Sequence, residues 1–367
     1  MAKNITRNIF IDCMKGLLII LVVIGHLPFF DYNSRTLTLI YGFHMPAFLI
    51  IGGILSHIDE DTKLKHIIFK RIVGTLIPYY VFYIIAMFIV PLPNWEARIA
   101  AIKIIIKGIG IPPDKAVDLP LWFLTYYFCA MTIYEIIEYL CYKIKIFLFG
   151  RKKGLKNEKI ITVRMMTFII ICFIMYAAFF YARILKAPRL PYNFEIACFS
   201  LGFVFFGKII GELFTHSITY IENDSLITFL FCIIITIFIF IITYSYYYIS
   251  MQNGRIDLNA RDYKNASLMY IDAIFGFLII AYISYIVSII PIIKSIISCI
   301  GENSIYILAY HIPLTIITYK ILIPLVGPAL YELLSVNSPI SIFILTSLGI
   351  IYSLILGIIH RTLHFPR

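Results

Sequence analysis

Apolar runs long enough to cross a bilayer dominate the pattern along the chain, with short polar stretches between them. A membrane-spanning helix needs about 20 predominantly apolar residues. Ten such runs can be placed, at roughly 12–30, 37–56, 72–91, 119–142, 164–183, 194–212, 226–249, 268–290, 303–325 and 340–360. The stretch 97–111 is apolar but short and lysine-bearing, and reads as an interfacial or re-entrant helix. The pattern predicts an all-α polytopic membrane protein of about ten transmembrane helices, forming one domain over residues 1–367.

The first run, DCMKGLLIILVVIGHLPFF, is interrupted by Asp12, Lys15 and His26. At about 100° per residue, the interval from Lys15 to His26 closes to within ~20° of whole turns, with a rise of ~16 Å. One helix face therefore carries a cation at one end and an imidazole near the other. Charged groups within a span are costly and usually face a protein interior or a wet cavity. Lys15 also reads as a lysine snorkelling to the interface, and Asp12, three residues away, as its partner. His26 lies well inside the run beside Gly25 and Pro28; a neutral imidazole there can take a proton from a hydroxyl and return it. Two further histidines precede prolines inside apolar runs, His44 before Pro46 and His311 before Pro313. Each reads either as a core imidazole or as part of a site. Asn303 or Ser304 can cap the helix that carries His311.

Composition agrees with the pattern: 61% of residues are hydrophobic, 14% are charged, and the mean hydropathy is +0.92. Such values lie far outside those of soluble domains. A formal net charge of +11 is also a feature of nucleic-acid binders, but in a membrane chain it reflects cytoplasmic loops facing anionic lipid, and no nucleic-acid partner is expected. Eight of the 31 basic residues fall between positions 143 and 164, which places that loop in the cytoplasm. With ten spans, both termini are then cytoplasmic. Residues 1–11 are too polar for a signal peptide, so the first span is expected to stay as an anchor. The seven cysteines show no metal-ligand spacing and read as small core residues. No internal repeat is evident, which weakens an inverted-repeat transporter.

Several polar positions remain open to two readings. Lys70 and Arg71, in HIIFKRIVGTLIPYY, are lipid anchors or a clamp for anionic phosphates. Trp122, Tyr126 and Tyr127, in LPLWFLTYYF, are an interfacial aromatic belt or faces for sugar C–H surfaces. The segment MQNGRIDLNARDYKNASL, from residue 251, offers Asn253, Arg255 and Asp257 to a hydroxyl array, or is simply a solvated loop.

IDCMKGLLIILVVIGH followed by FHMPAFLIIGGIL resembles the opening of the integral-membrane acyltransferase family three, in the sugar O-acetyltransferase branch related to fucose 4-O-acetyltransferases. In that family a basic residue, typically arginine, precedes a histidine by this interval. Lys15 stands at that place, so the charge carries over and bidentate anion binding does not. The basic pair ahead of Pro-Tyr, the Trp-Phe-Leu start of the fourth span, the Asn-Gly segment at 253 and the Gly-x-Asn-Ser…His run at 301–311 are similar in family order. The resemblance implies a membrane O-acetyltransferase that moves acetyl from cytoplasmic acetyl-CoA, without a metal, to a hydroxyl of a cell-surface or lipid-linked saccharide. It implies His26 as base, with Asp12, His44 and His311 beside it in the catalytic set. Lys15, Lys70 and Arg71 would bind the donor, and Trp122, Tyr126, Asn253, Arg255, Asp257 and Asn303 the acceptor. The expected setting is multi-pass in a cell membrane, a bacterial inner or plasma membrane, among lipid. The alternative is a proton-coupled transporter or glycan flippase using the same buried polar set.

Overall fold

A computed structural model describes residues 8–27, 29–31, 34–89, 94–109, 120–150, 156–217, 225–318, 327, 332, 334 and 337–364. Pro28, the ends of the expected spans at 90–91, 119 and 319–325, and the centre of the basic loop at 151–155 lie outside them. The described residues are helical almost throughout, and their one β-bridge joins Asp257 to Asp262.

Helix α1 (Ile9–Gly25) starts where the Asn8 side chain accepts a hydrogen bond from the Ile11 amide at 3.3 Å. An asparagine cap of this kind satisfies one of the amides that a helix start leaves unpaired. The expected span continued through His26, but the helix stops at Gly25 and His26 is its C-cap. A short helix α2 (Arg35–Tyr41) then leads into α3 (His44–Leu55). Next come α4 (Leu64–Arg71), a π-helical turn at Ile72–Leu76, and α5 (Ile77–Ile89). Helix α6 (Trp95–Lys107) is a separate 13-residue helix ending at Gly108, whose φ of 64° suits glycine. Long helices α7 (Trp122–Phe149) and α8 (Lys156–Phe179) follow, then a bent pair, α9 (Phe194–Phe199) and α10 (Leu201–Ser217). The chain continues through α11 (Ser225–Asn253), α12 (Ala266–Ile289), α13 (Pro291–Glu302), α14 (Ser304–Ile317) and α15 (Pro339–His364).

Among the described residues, six helices are long and apolar enough to cross a membrane, or eight when each of two bent pairs is one span, against the ten expected. The difference lies in α1, only 17 residues long, and in α7, whose 28 residues include Glu135, Glu138, Lys143 and Lys145. The protein is an all-α polytopic membrane protein.

Glycines set the closest helix contacts. A Cβ on Gly53 would collide with the Val204 carbonyl, and one on Gly207 with the Ile50 carbonyl, so α3 and α10 pack backbone to backbone. Small residues serve helix association in lipid this way, because dispersion contacts replace the missing hydrophobic drive. Gly16 and Gly301 do the same between α1 and α13, with Gly301 facing the Asp12 carbonyl. Helix α13 was not anticipated. It bends 78° from α14 and exposes Ile292 and Ile296 while burying Ile300 and Gly301 against α1.

The polar groups sort to two ends of the bundle. At one end, Lys143 donates to the Glu60 carbonyl at 3.0 Å, Lys145 pairs with the Glu60 carboxylate, and Arg164 joins Glu138 and Glu212. At the other, Arg189 donates to Asn259 and Arg261 to the Ala187 carbonyl, tying 183–195 to 254–265.

Candidate active site

Three histidines repeat one local arrangement. The Nδ1 atoms of His26, His44 and His311 each lie 2.7 Å from the backbone carbonyl four residues earlier, those of Val22, Ile40 and Ile307. A carbonyl only accepts, so each Nδ1 carries the proton and, in a neutral ring, Nε2 holds the lone pair. At His26 the accepting carbonyl belongs to the last turn of α1, which otherwise lacks a helical partner.

Tertiary packing then pairs two of these rings. His311 Nε2 lies 3.5 Å from His26 Nδ1, at the limit of hydrogen bonding, with ring centroids 5.2 Å apart in a T-shaped arrangement. With the tautomers fixed as above, His26 Nδ1–H points at both Val22 O and His311 Nε2. The basic nitrogen of His26 therefore faces away from the pair. His44 is buried and packs edge-on against Tyr41, with ring centroids 4.9 Å apart. The Tyr41 hydroxyl reaches the Gly25 carbonyl at 3.5 Å, which ties the α2–α3 corner to the end of α1.

Arg255 closes the same group from the 254–265 segment. Its guanidinium carbon lies 4.1 Å from the Tyr41 ring centroid, a cation–π contact. Asp257 lies 4.0 Å from Arg255 Nη2. This segment was open to reading as a solvated loop, but it is packed: Ile256, Leu258 and Tyr263 are buried, and Tyr263 stacks on Phe199 at 4.4 Å. Asn253 accepts the Asn265 amide at 2.9 Å across the base of the segment, so its carbonyl oxygen is engaged in closing it.

The other expected site residues fall elsewhere. Asp12 and Lys15 form an ion pair at 2.7 Å near the start of α1, ~16 Å or more from His26 by helical rise. Asn303 caps α13 and donates to the Cys299 carbonyl at 2.7 Å; it precedes His311 by ~12 Å of helix. Lys70 is exposed, whereas the Arg71 guanidinium is held by both oxygens of the buried Glu135 carboxylate. Trp122 and Tyr126 do not form an outward belt. They are buried, packed on Phe123, and the Trp122 carbonyl accepts from Thr125 at 2.8 Å. The six cysteines whose surroundings are described are unbridged, four of them buried.

Residues that the sequence reading passed over fill the interior. Glu135 also accepts from Ser56 at 3.0 Å. Glu138 binds Arg164 at 2.8 Å and lies 3.8 Å from Lys208, whose ammonium donates to the Ser56 carbonyl at 2.8 Å. Asp272, fully buried in α12, accepts from Ser250 at 3.0 Å. Carboxylates inside apolar runs were the available signal, since lipid tolerates them only when a partner faces them. Tyr41 carried no signal of its own.

The fold and site define a polytopic helical membrane protein with a buried histidine centre near one end of the bundle. A family model described as an acyltransferase domain, of acyltransferase family 3, matches residues 8–358; the chain belongs to that family and is a membrane acyltransferase. No match to a curated protein or to a solved structure was found.

Proposed function

We propose that this acyltransferase moves an acetyl group from cytoplasmic acetyl-CoA to a hydroxyl of a cell-surface or lipid-linked saccharide, in a cell membrane. The observation that carries the reading is the His26–His311 pair at the end of the helix that holds Lys15 at its start. His26 Nε2 accepts the proton of the acceptor hydroxyl as that oxygen attacks the thioester carbonyl carbon. The positive ring that forms is stabilised through Nδ1–H by Val22 O and His311 Nε2, much as an orienting partner serves other catalytic imidazoles. The carbon–sulfur bond then breaks, and His26 returns the proton to the departing thiolate. Lys15 and Lys70, at the other end of the bundle, suit the phosphates of the donor. Arg71 is engaged by Glu135 and contributes charge there without its full fork.

The test is thiol release from acetyl-CoA by purified protein in lipid nanodiscs, with and without glycan from the host. Acceptor-dependent release, together with an acetyl-sized mass difference between glycans of deleted and complemented strains, is the expected result. Saccharide movement without thioester cleavage would overturn the reading in favour of a transporter.

A further inference from the structure

The alignment of the base depends on what holds the end of α1, because His26 lies one residue past it. As the C-cap it has φ −108° and ψ 9°, so helical dihedrals do not fix it. The last carbonyls of a helix need partners from elsewhere, and the Gly25 carbonyl meets the Tyr41 hydroxyl at 3.5 Å. The Tyr41 ring also packs directly on Gly25, where a Cβ would sit 3.3 Å from Tyr41 Cε2. Two more groups of the site meet the same ring. The His44 imidazole stands edge-on to it with centroids 4.9 Å apart, and the Arg255 guanidinium carbon lies over it at 4.1 Å.

Tyr41 is itself held in place. It ends α2, and the corner that follows is braced by two other helices. Tyr246 of α11 donates to the Leu39 carbonyl and packs edge-on against Phe43 with centroids 5.8 Å apart. Phe43 in turn lies against Gly276 of α12, where a Cβ would collide with its ring. His44 Nδ1 donates to the Ile40 carbonyl at 2.7 Å across the same corner. The segment that carries Arg255 is closed by two backbone hydrogen bonds of 2.9 Å between Asp257 and Asp262, and by Asn253 on the Asn265 amide. Among the Tyr41 contacts the ring outweighs the hydroxyl. A separation of 3.5 Å is at the outer limit of hydrogen bonding, whereas a cation over an aromatic face changes an equilibrium by roughly two- to thirtyfold.

We infer that Tyr41 is a positioning residue for acyl transfer: its ring, backed by Arg255, sets the end of α1 and with it the direction in which His26 presents Nε2. The inference rests on the acyl-transfer reading above, with His26 as the base. Tyr41 takes no proton itself and acts through His26. It also gives the 254–265 segment a mechanical route to the base, from Arg255 through the ring to Gly25 and the residue after it.

Purified variants in nanodiscs should be compared for kcat, KM for acetyl-CoA and melting temperature. The rate at which diethyl pyrocarbonate modifies His26, followed by peptide mass, is measured alongside. His26 is half-buried while His44 and His311 are buried, so the reagent reports on the base. Y41L keeps bulk without the ring face and should lower kcat roughly tenfold, with KM for acetyl-CoA and melting temperature near wild type. Y41F keeps the ring and should hold kcat within about threefold of wild type. G25A presses a methyl group on the ring; it should lower kcat severalfold with Tyr41 present and less than about twofold in Y41L, because contacting residues do not act additively. Y41L and R255Q should each quicken His26 modification, and the double variant no more than the faster of the two. Y247L, exposed on α11, is the control and should change each quantity by less than about twofold. Should Y41L fail to fold, Y41M takes its place. Wild-type kcat in Y41L, or additive losses in G25A/Y41L, would overturn the inference. A kcat loss matched by a fall in melting temperature would leave Tyr41 a structural residue only, and overturn it equally. If the wild type acetylates no acceptor while His26 modification follows the stated order, the hold on His26 stands and the acyl-transfer reading falls. Modification unchanged in Y41L removes the hold itself.

Discussion

His26 Nδ1 lies 3.5 Å from His311 Nε2 although 285 residues separate them, and each imidazole is anchored by its Nδ1 to a carbonyl in the preceding turn of its own helix. The anchors fix both tautomers, so the pair has one direction: His26 donates, His311 accepts, and the remaining lone pair of His26 is on Nε2. A pair with that polarity makes unequal demands on its two members.

Replacing His26 by Ala should abolish acetyl transfer while acetyl-CoA still binds, because general-base contributions are typically ~10²–10⁴-fold. His26→Gln keeps a hydrogen-bonding group but cannot carry the proton, and should fail nearly as badly. His311→Ala should cost less than His26→Ala, and His311→Gln should recover part of that loss by accepting from His26. Turnover and donor affinity of purified variants check the order; a His26→Gln enzyme near wild-type turnover would assign the base elsewhere, with His44 next in place.

Lys70 and Arg71 are adjacent but should respond differently. Lys70 is exposed, so Lys70→Ala should raise KM for acetyl-CoA with no change in melting temperature. Arg71→Ala leaves the buried Glu135 carboxylate without its bidentate partner, a loss on the order of 3–5 kcal/mol for a broken buried pair. Thermal unfolding in detergent alongside donor titration separates the two. A stable Arg71→Ala protein with weakened donor binding would show that the arginine serves the phosphates more than it serves Glu135.

Backbone contact between α3 and α10 leaves no room for a methyl group at Gly53 or Gly207. Either Gly→Ala change should destabilise the protein by about 1–3 kcal/mol or more, the usual cost of overpacking. Gly74, in the π-helical turn, has open space at its Cβ and should tolerate Ala. Melting temperatures of the three variants at equal lipid content give the comparison; an unaffected Gly207→Ala would mean that the two helices can move apart at little cost.

Orientation can be read from two single-cysteine positions in a background lacking other thiols. His57 belongs to the end rich in basic loops and is well exposed, while Lys264 lies on the segment above the histidines with its side chain 44% exposed. A membrane-impermeant maleimide applied to intact cells should label Lys264→Cys and leave His57→Cys untouched until the cells are opened. Labelling in the reverse order would invert the assignment and put the acceptor side in the cytoplasm.

The positions of most helices, the membrane class and the presence of Lys15, His26, His44 and His311 inside apolar runs were legible because they depend on local facts. A run of apolar residues has nowhere to go but lipid or a core, and an ionisable group inside it stands out wherever the helix packs. Even the Asp12–Lys15 ion pair follows from a three-residue spacing on one helix. What the sequence could not decide is which polar group meets which, since that depends on contacts between distant segments. His311 meets His26, Arg71 meets Glu135, and Arg255 meets Tyr41 only after α1, α7, α14 and the 254–265 segment have packed. Likewise, the end of α1 at Gly25, the bend that sets α13 across α1, and the burial of Trp122 are settled by neighbouring backbone. Local periodicity places a side chain on a face of its helix; the partner opposite that face is a property of the packed bundle.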